Sequence, residues 1–156
     1  MKLNINQKEL QEALSYCQGV IEKRSTLQIL SNVLLDASNS KLTITATDLD
    51  LIFIHHIENV EILEEGNTTT TSSIMFDIVR KFSSDKKLNL SMNSENKLQL
   101  ESEKSLFNLN CINSSEFPLT DENFNENVFT IDSKKFLKLL NKCKFSISND
   151  ETRHYL

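Results

Sequence analysis

Two neighbouring carboxylates are the first candidates for chemistry in this sequence. Asp48 and Asp50 stand in the stretch TATDLDLIF, and paired carboxylates of this kind can bind a divalent metal ion. A metal-dependent nuclease or nucleotide-processing enzyme would use such a pair, and this function is the alternative hypothesis for the chain. No third carboxylate stands at a defined spacing to the pair. A solvated turn is therefore the simpler interpretation.

The histidines and cysteines show no catalytic or metal-binding pattern. His55 and His56 lie in an alternating stretch, so we expect their side chains to face opposite sides of a strand. Neither has a cysteine or glutamate at the spacing of a zinc site. The cysteines are odd in number, and we expect reduced core thiols at Cys17, Cys111 and Cys143. The sequence thus predicts no catalytic residue, no metal and no cofactor, and it favours a binding or scaffold protein.

Lysines are concentrated in one segment of an otherwise acidic chain, whose net charge is −5. Lys134, Lys138 and Lys142 recur at every fourth position, so they share one face of a predicted helix. Lys135 and Lys144 stand beside them, with no acidic residue between. An ordinary solvated helix face explains this pattern as well as the alternative does. The alternative is an acidic body that presents basic helices to a polyanion.

The elements that carry these residues occur in a repeated order. The apolar spacing of an amphipathic helix appears near the N-terminus and again 126 residues later, at Leu10, Ala13, Leu14, Cys17 and Ile21, and then at Phe136, Leu139, Leu140, Cys143 and Ile147. Each copy follows a β-like run and an N-cap type residue, Asn6 or Asp132. We interpret this as a duplication, with a first domain at residues 1–126 and the truncated start of a second at 127–156.

A further helix is predicted inside the first domain. Met75, Ile78, Val79 and Phe82 have the same helical spacing, and Ser72 or Ser73 is the expected cap. Alternating β-like segments follow both helices, at 32–37, 41–47 and 51–60 and then at 87–92, 96–102 and 104–110. The expected fold is α+β, with two antiparallel sheets and two helices on one side.

Composition excludes several classes of protein. The chain has 38% apolar and 25% charged residues and no long apolar run. We therefore expect no membrane span. The first ten residues lack the apolar region of a secretory signal, so a cytoplasmic location is expected.

Four motifs resemble the bacterial beta sliding clamp family, the processivity subunit of DNA polymerase III. They are RSTLQILSNVLLDA at 24–37, TATDLDL at 45–51, SSEFP at 114–118 and TRHYL at 152–156. The resemblance implies a non-catalytic DNA replication protein with three domains per subunit. Two subunits would join head to tail into a ring around double-stranded DNA, with two inner helices per domain and antiparallel outer sheets. Expected partners are the replicative polymerase and clamp-loader subunits. This chain would hold the first domain and the start of the second.

The resemblance also implies DNA-binding residues. Arg24 matches the arginine before the TL.IL motif, and His154 and Tyr155 match the pair of aromatic residues that follows an arginine in the second domain. Ser73 and Asp150 stand where the family can carry arginine and glutamine, so a DNA contact has weaker support there.

Two other contact surfaces follow from the resemblance. Arg153 and Leu156 match one rim of the pocket that takes peptides from the polymerase and loader. The strand with Phe107 and Leu109 resembles the edge through which the first domain meets the third domain of the other subunit.

Overall fold

The protein is represented by a computed structural model, which describes residues 1–21, 27–102, 104–119 and 129–147. The chain divides into two compact units, residues 1–119 and residues 120–156. The domain boundary expected between residues 126 and 127 lies outside the described residues and stays a prediction.

The first unit combines antiparallel strands with two α-helices, α1 at Gln7–Cys17 and α2 at Ser72–Val79. Its described strands are β1 Lys2–Asn6, β2 Asn32–Ser38, β3 Lys41–Thr47, β4 Ile52–Ile57, β5 Val60–Glu64, β6 Gly66–Thr71, β7 Lys87–Met92, β8 Lys97–Ser102 and β9 Ser105–Ile112. They pair antiparallel in the order β4-β3-β2-β6-β9-β8-β7-β1-β5. The α+β prediction is confirmed.

Strand β9 connects two halves of this sheet, which we call the half-sheets: β4-β3-β2-β6 and β9-β8-β7-β1-β5. It pairs with β8 along Ser105–Asn110 and with β6 only at Cys111 and Ile112. The two sheets expected from the sequence are therefore joined into one continuous sheet. They meet at a seam of two residue pairs between β6 and β9.

Within the first unit, the order of one strand, one helix and three strands occurs twice, and the two copies exchange their first strands. The first copy is β1-α1-β2-β3-β4 and the second is β6-α2-β7-β8-β9. Strand β1 pairs with β7, whereas β6 pairs with β2, so each copy gives its first strand to the half-sheet of the other. The exchange also explains β5, which the sequence pattern does not separate from β4. The chain must break at Glu58 and Asn59, because β4 pairs with β3 whereas β5 pairs with β1.

Both helices cover the same core. The predicted stripe of α1 is buried, with Leu10, Ala13, Leu14 and Cys17 fully inaccessible to solvent. They pack in one cluster with residues from α2 and from both half-sheets. The helices are also joined by the side-chain amide of Gln7, which donates to the Val79 carbonyl at 2.8 Å. Residues of α1 alternate between this core and solvent as the helical period requires.

The N-cap predictions are correct for two helices and wrong for α2. The Asn6 side chain accepts from the Lys8 amide, and that of Asp132 accepts from the Lys135 amide, each at 2.9 Å. Helix α2 instead begins at Ser72 after Thr71, which makes no side-chain cap. The reason is that the Ser72 hydroxyl is buried and accepts from the side-chain amide of Gln18 at 2.8 Å.

The second unit contains α3, at Ser133–Cys143. Its amphipathic pattern is as predicted, but the side chains of its apolar stripe are exposed. Cys143 is also exposed, so the expectation of a core thiol is wrong there. No helix in the described part of the chain is long and apolar enough to cross a membrane.

Cys17 and Cys143, which are equivalent in the repeat, should differ in reactivity. Burial raises the pKa of the Cys17 thiol to about 12. At pH 8 this leaves on the order of a thousandfold less thiolate than an ordinary thiol of pKa about 8.5 has. We expect a maleimide to label Cys143 within minutes and Cys17 only in denaturant, as read by peptide mass spectrometry. Labelling of both at equal rates in the folded chain would contradict the burial of Cys17.

Candidate functional site

The Asp48 carboxylate of the TATDLDL stretch has a structural role in a turn. The Oδ1 atom of Asp48 accepts from the backbone amides of Asp50 at 3.1 Å and of Leu51 at 2.7 Å. This turn holds Leu49 at a φ of 85°, where its amide donates to the hydroxyl of Thr47. Among the described residues, no group of three or more His, Cys, Asp or Glu side chains could hold a metal ion. The predicted turn is therefore present, and the Asp48 carboxylate stabilises it.

The two histidines face opposite sides of β4, as predicted. The His55 ring stacks on Phe53 at 6.1 Å and lies 6.2 Å from the ring of Tyr16 on α1. The Nδ1 atom of His56 lies 3.0 Å from the Thr43 hydroxyl, on the other face. Both rings are thus held by neighbouring side chains of the fold.

The charges on α1 and α2 balance each other. Over both helices and the turn after α2, the cations are Lys8, Arg80 and Lys81 and the anions are Glu9, Glu12 and Asp77. Arg80 and Asp77 form an ion pair at 3.1 Å. Ser73 lies in the first turn of α2 with a half-buried side chain. These two helices therefore offer no basic surface of their own.

Helix α3 is basic on one side only. Its exposed cations, with the residue that follows the helix, are Lys134, Lys135, Lys138, Lys142 and Lys144. No acidic residue lies between positions 133 and 147. Lys134, Lys138 and Lys142 line one shallow groove together with Leu137 and Asn141. The sequence pattern of every fourth residue is thus a single surface in the structure.

Strand β9 has an open edge at the position of the expected subunit contact. Between Ser105 and Asn110 it pairs with β8 on one side, and no described strand pairs with its other side. Phe107 is 39% exposed, and its ring meets that of Phe82 edge-on at 6.0 Å. Leu109 is only 6% exposed. Its side chain belongs to the core, so only its backbone is available at the edge.

Leu106, which is 55% exposed on the same strand, was not predicted from the sequence. A signal for it was present. The segment SLFNLN places two apolar residues side by side, and in a strand one of them must point away from the core.

The remaining implied contact residues lie outside the described part of the chain. They are Arg24, Asp150, Arg153, His154, Tyr155 and Leu156. Their assignments stay predictions.

Comparison with known proteins agrees with this fold. A sequence model described as "DNA polymerase III beta subunit, N-terminal domain" matches residues 1–121. The beta sliding clamp of Caulobacter vibrioides is 34% identical, in an alignment that covers 100% of this chain and 42% of that protein. The beta sliding clamp of Rickettsia felis is 33% identical, with 100% and 41% covered.

Solved structures give the same result. The polymerase III beta protein of Caulobacter crescentus superposes with a TM-score of 0.91 at 34% identity, over 100% of this chain and 42% of that one. A sliding clamp from Bartonella birtlesii gives 0.92 at 32% identity, over 99% and 41%. The chain spans about two fifths of the length of these relatives. It belongs to the DNA polymerase III beta subunit family, and residues 1–121 match that family's N-terminal domain.

Proposed function

We propose that this chain supplies the first domain of a bacterial sliding clamp, the ring that tethers the replicative polymerase to duplex DNA. The observation that carries the proposal is the match of residues 1–121 to the family's N-terminal domain. The fold supports it, because an antiparallel sheet with two helices packed on one core can form one segment of a ring wall. Such a protein acts in the cytoplasm and catalyses no reaction itself.

The mechanism depends on topology. A closed ring cannot leave DNA sideways, so a polymerase bound to it stays near the primer end at high effective concentration. Contacts between the ring and DNA are weak and screened by salt, because tight contacts would stop sliding. Polymerase and clamp-loader subunits would bind through peptides, with Arg153 and Leu156 on one rim of the pocket.

Ring closure would use the open edge of β9. An edge strand with unpaired backbone groups can add a strand from another sheet, and the joining of unlike surfaces head to tail closes a ring. Phe107 and Leu106 supply exposed apolar side chains at this edge. Leu109 would contribute through its backbone.

Arg24, with His154 and Tyr155, would contact the DNA backbone. We expect Arg24→Ala to weaken binding of this chain to a fluorescent duplex at low salt about fivefold, and to reduce the slope of log K against log salt by about one. The control is Lys87→Ala, which removes the same charge from the exposed start of β7. No duplex binding by the unmodified chain at the lowest salt in fluorescence anisotropy would overturn the direct DNA contact proposed for this chain. Equal effects of the two variants would overturn only the role of Arg24.

A further inference from the structure

Three strand edges of the first unit have no neighbour among the described strands. Strands β4 and β5 stand at the two ends of the strand order, and β9 is open on one side over residues 105–109. An open edge presents backbone N–H and C=O groups that can pair with a further strand, and proteins protect such edges with charged side chains or proline. The residues on each edge therefore indicate whether it is protected or serves as a contact surface.

The β5 edge is protected, whereas the β4 and β9 edges are not. Strand β5 contains Glu61 and Glu64, and Glu65 follows it directly. Strand β4, with the sequence IFIHHI, and the open SLFNL segment of β9 contain no Asp, Glu, Lys, Arg or Pro. Both expose aliphatic side chains instead, Ile54 on β4 and Leu106 on β9. Two of the three edges are therefore suited to strand addition.

We propose that these two edges bind each other between copies of this chain, so that β9 of one copy adds to β4 of the next. The two edges differ in sequence and lie in one chain. The contact is therefore heterologous, and each copy uses β9 toward one neighbour and β4 toward another. The proposal rests on the proposed function for the role of the β9 edge, and it assigns the surface that receives that edge.

The side chains of the two edges fit a pairing that continues the sheet. On β4, Phe53 and His55 face α1, where the Tyr16 ring lies 5.9 Å and 6.2 Å from theirs. On β9, Phe107 shares the face of Leu109, which belongs to the core under the helices. Every strand pair described in this sheet is antiparallel. Antiparallel addition can therefore place apolar and aromatic side chains of both copies together on the helix-bearing side.

Charges at the ends of the strands select the register. Glu58 follows β4 directly and Lys104 precedes β9 directly, and both side chains are exposed. In the register that pairs Ile57 with Ser105, Glu58 of one copy lies opposite Lys104 of the next, and opposite charges across a ladder attract. The same register places His55 opposite Phe107. A shift of one residue would turn the side chains to the wrong face, and a shift of two would separate the charges.

The test measures the weight-average mass of this chain by sedimentation equilibrium. The pairing of two short strands buries an area at the low end for protein contacts, so the concentration series must extend from the micromolar into the millimolar range. The edge variants are I54D on β4 and L106D on β9, and the matched control is L63D on the β5 edge. Each replaces an exposed aliphatic side chain by aspartate, which is charged and disfavoured in strands.

Far-UV circular dichroism checks that each variant is folded. If an aspartate variant is not folded, lysine at the same position, I54K or L106K, replaces it in the test, because lysine also protects an edge.

We expect the mass of the unmodified chain to rise with concentration beyond that of a dimer, because a heterologous contact leaves a free edge at each end of an open assembly. Either edge variant alone should lower the association constant at least about tenfold. The L63D variant should associate like the unmodified chain. An equimolar mixture of I54D and L106D should form dimers and nothing larger, because the intact β9 of one variant fits the intact β4 of the other.

Four results would overturn the proposal. The first is an unmodified chain that stays monomeric at every concentration, and the second is a loss at L63D as large as that at either edge variant. The third is a mixture of I54D and L106D that associates no more than each variant alone. In the fourth, both edge variants associate like the unmodified chain, which would place the contact elsewhere, as on the apolar side of α3. None of these results alters the proposed DNA contact, which is measured separately by duplex titration.

Discussion

Leu14→Ala should lower the free energy of unfolding of the first unit by about 3 to 4 kcal/mol. Leu14 lies on α1, is fully inaccessible to solvent and packs in the cluster that joins the helices to the sheet. Removing a buried isobutyl group loses its transfer free energy and leaves a cavity that the surrounding side chains fill only in part. Urea denaturation followed by circular dichroism measures the loss.

The matched control is Leu140→Ala. Leu140 is the residue of α3 that aligns with Leu14 in the repeat, and it is 52% exposed. Since its side chain is already half in water and alanine favours helices, we expect a change of less than about 0.5 kcal/mol. A loss at Leu140 as large as that at Leu14 would mean that α3 is buried against a surface that the described residues do not include.

The contrast between Leu14 on α1 and Leu140 on α3 shows how far the sequence predicts the fold. The spacing of apolar residues predicts an amphipathic helix at both copies, and both helices form where expected. Spacing cannot state what covers the apolar side, because that depends on partners distant in sequence. The same limit applies to the strands. Alternation predicted most of them, but the exchange of β1 and β6 between half-sheets, and hence the break between β4 and β5, follows from tertiary pairing alone.

The candidate contact surfaces also divide into those that depend on neighbours in sequence, which could be predicted, and those that depend on tertiary pairing, which could not. The lysine spacing of α3 and the turn at Asp48 depend on neighbours in sequence, and the structure agrees with both predictions. The edge at β9 depends on which strands pair, so the sequence did not distinguish the exposed Leu106 from the buried Leu109. The cap of α2 failed for a related reason, since Gln18, 54 positions away, bonds the hydroxyl of Ser72.

A second large effect is expected at the seam between β6 and β9. The backbone ladder there consists of two pairs, Thr69 with Ile112 and Thr70 with Cys111. Buried side chains add to it. The Thr69 hydroxyl donates to the Ile112 carbonyl at 2.7 Å and accepts from the side-chain amide of Asn32 at 3.2 Å. The Thr70 hydroxyl likewise donates to the Asn110 carbonyl at 3.1 Å. Hydroxyl groups on β6 therefore add two hydrogen bonds to the two backbone pairs between β6 and β9.

Thr69→Val should cost about 2 to 3 kcal/mol of unfolding free energy, because valine fills the space but leaves the buried Asn32 amide without its acceptor and the Ile112 carbonyl without this donor. The control is Thr43→Val on β3, whose hydroxyl bonds His56 at an exposed position, and there we expect a change within about 0.5 kcal/mol. Thr69→Ser keeps the hydroxyl and should retain part of the stability. Urea denaturation of the three variants separates the hydrogen bonds from the packing. If Thr69→Val and Thr43→Val cost the same, the two-residue ladder holds the seam without the hydroxyl groups.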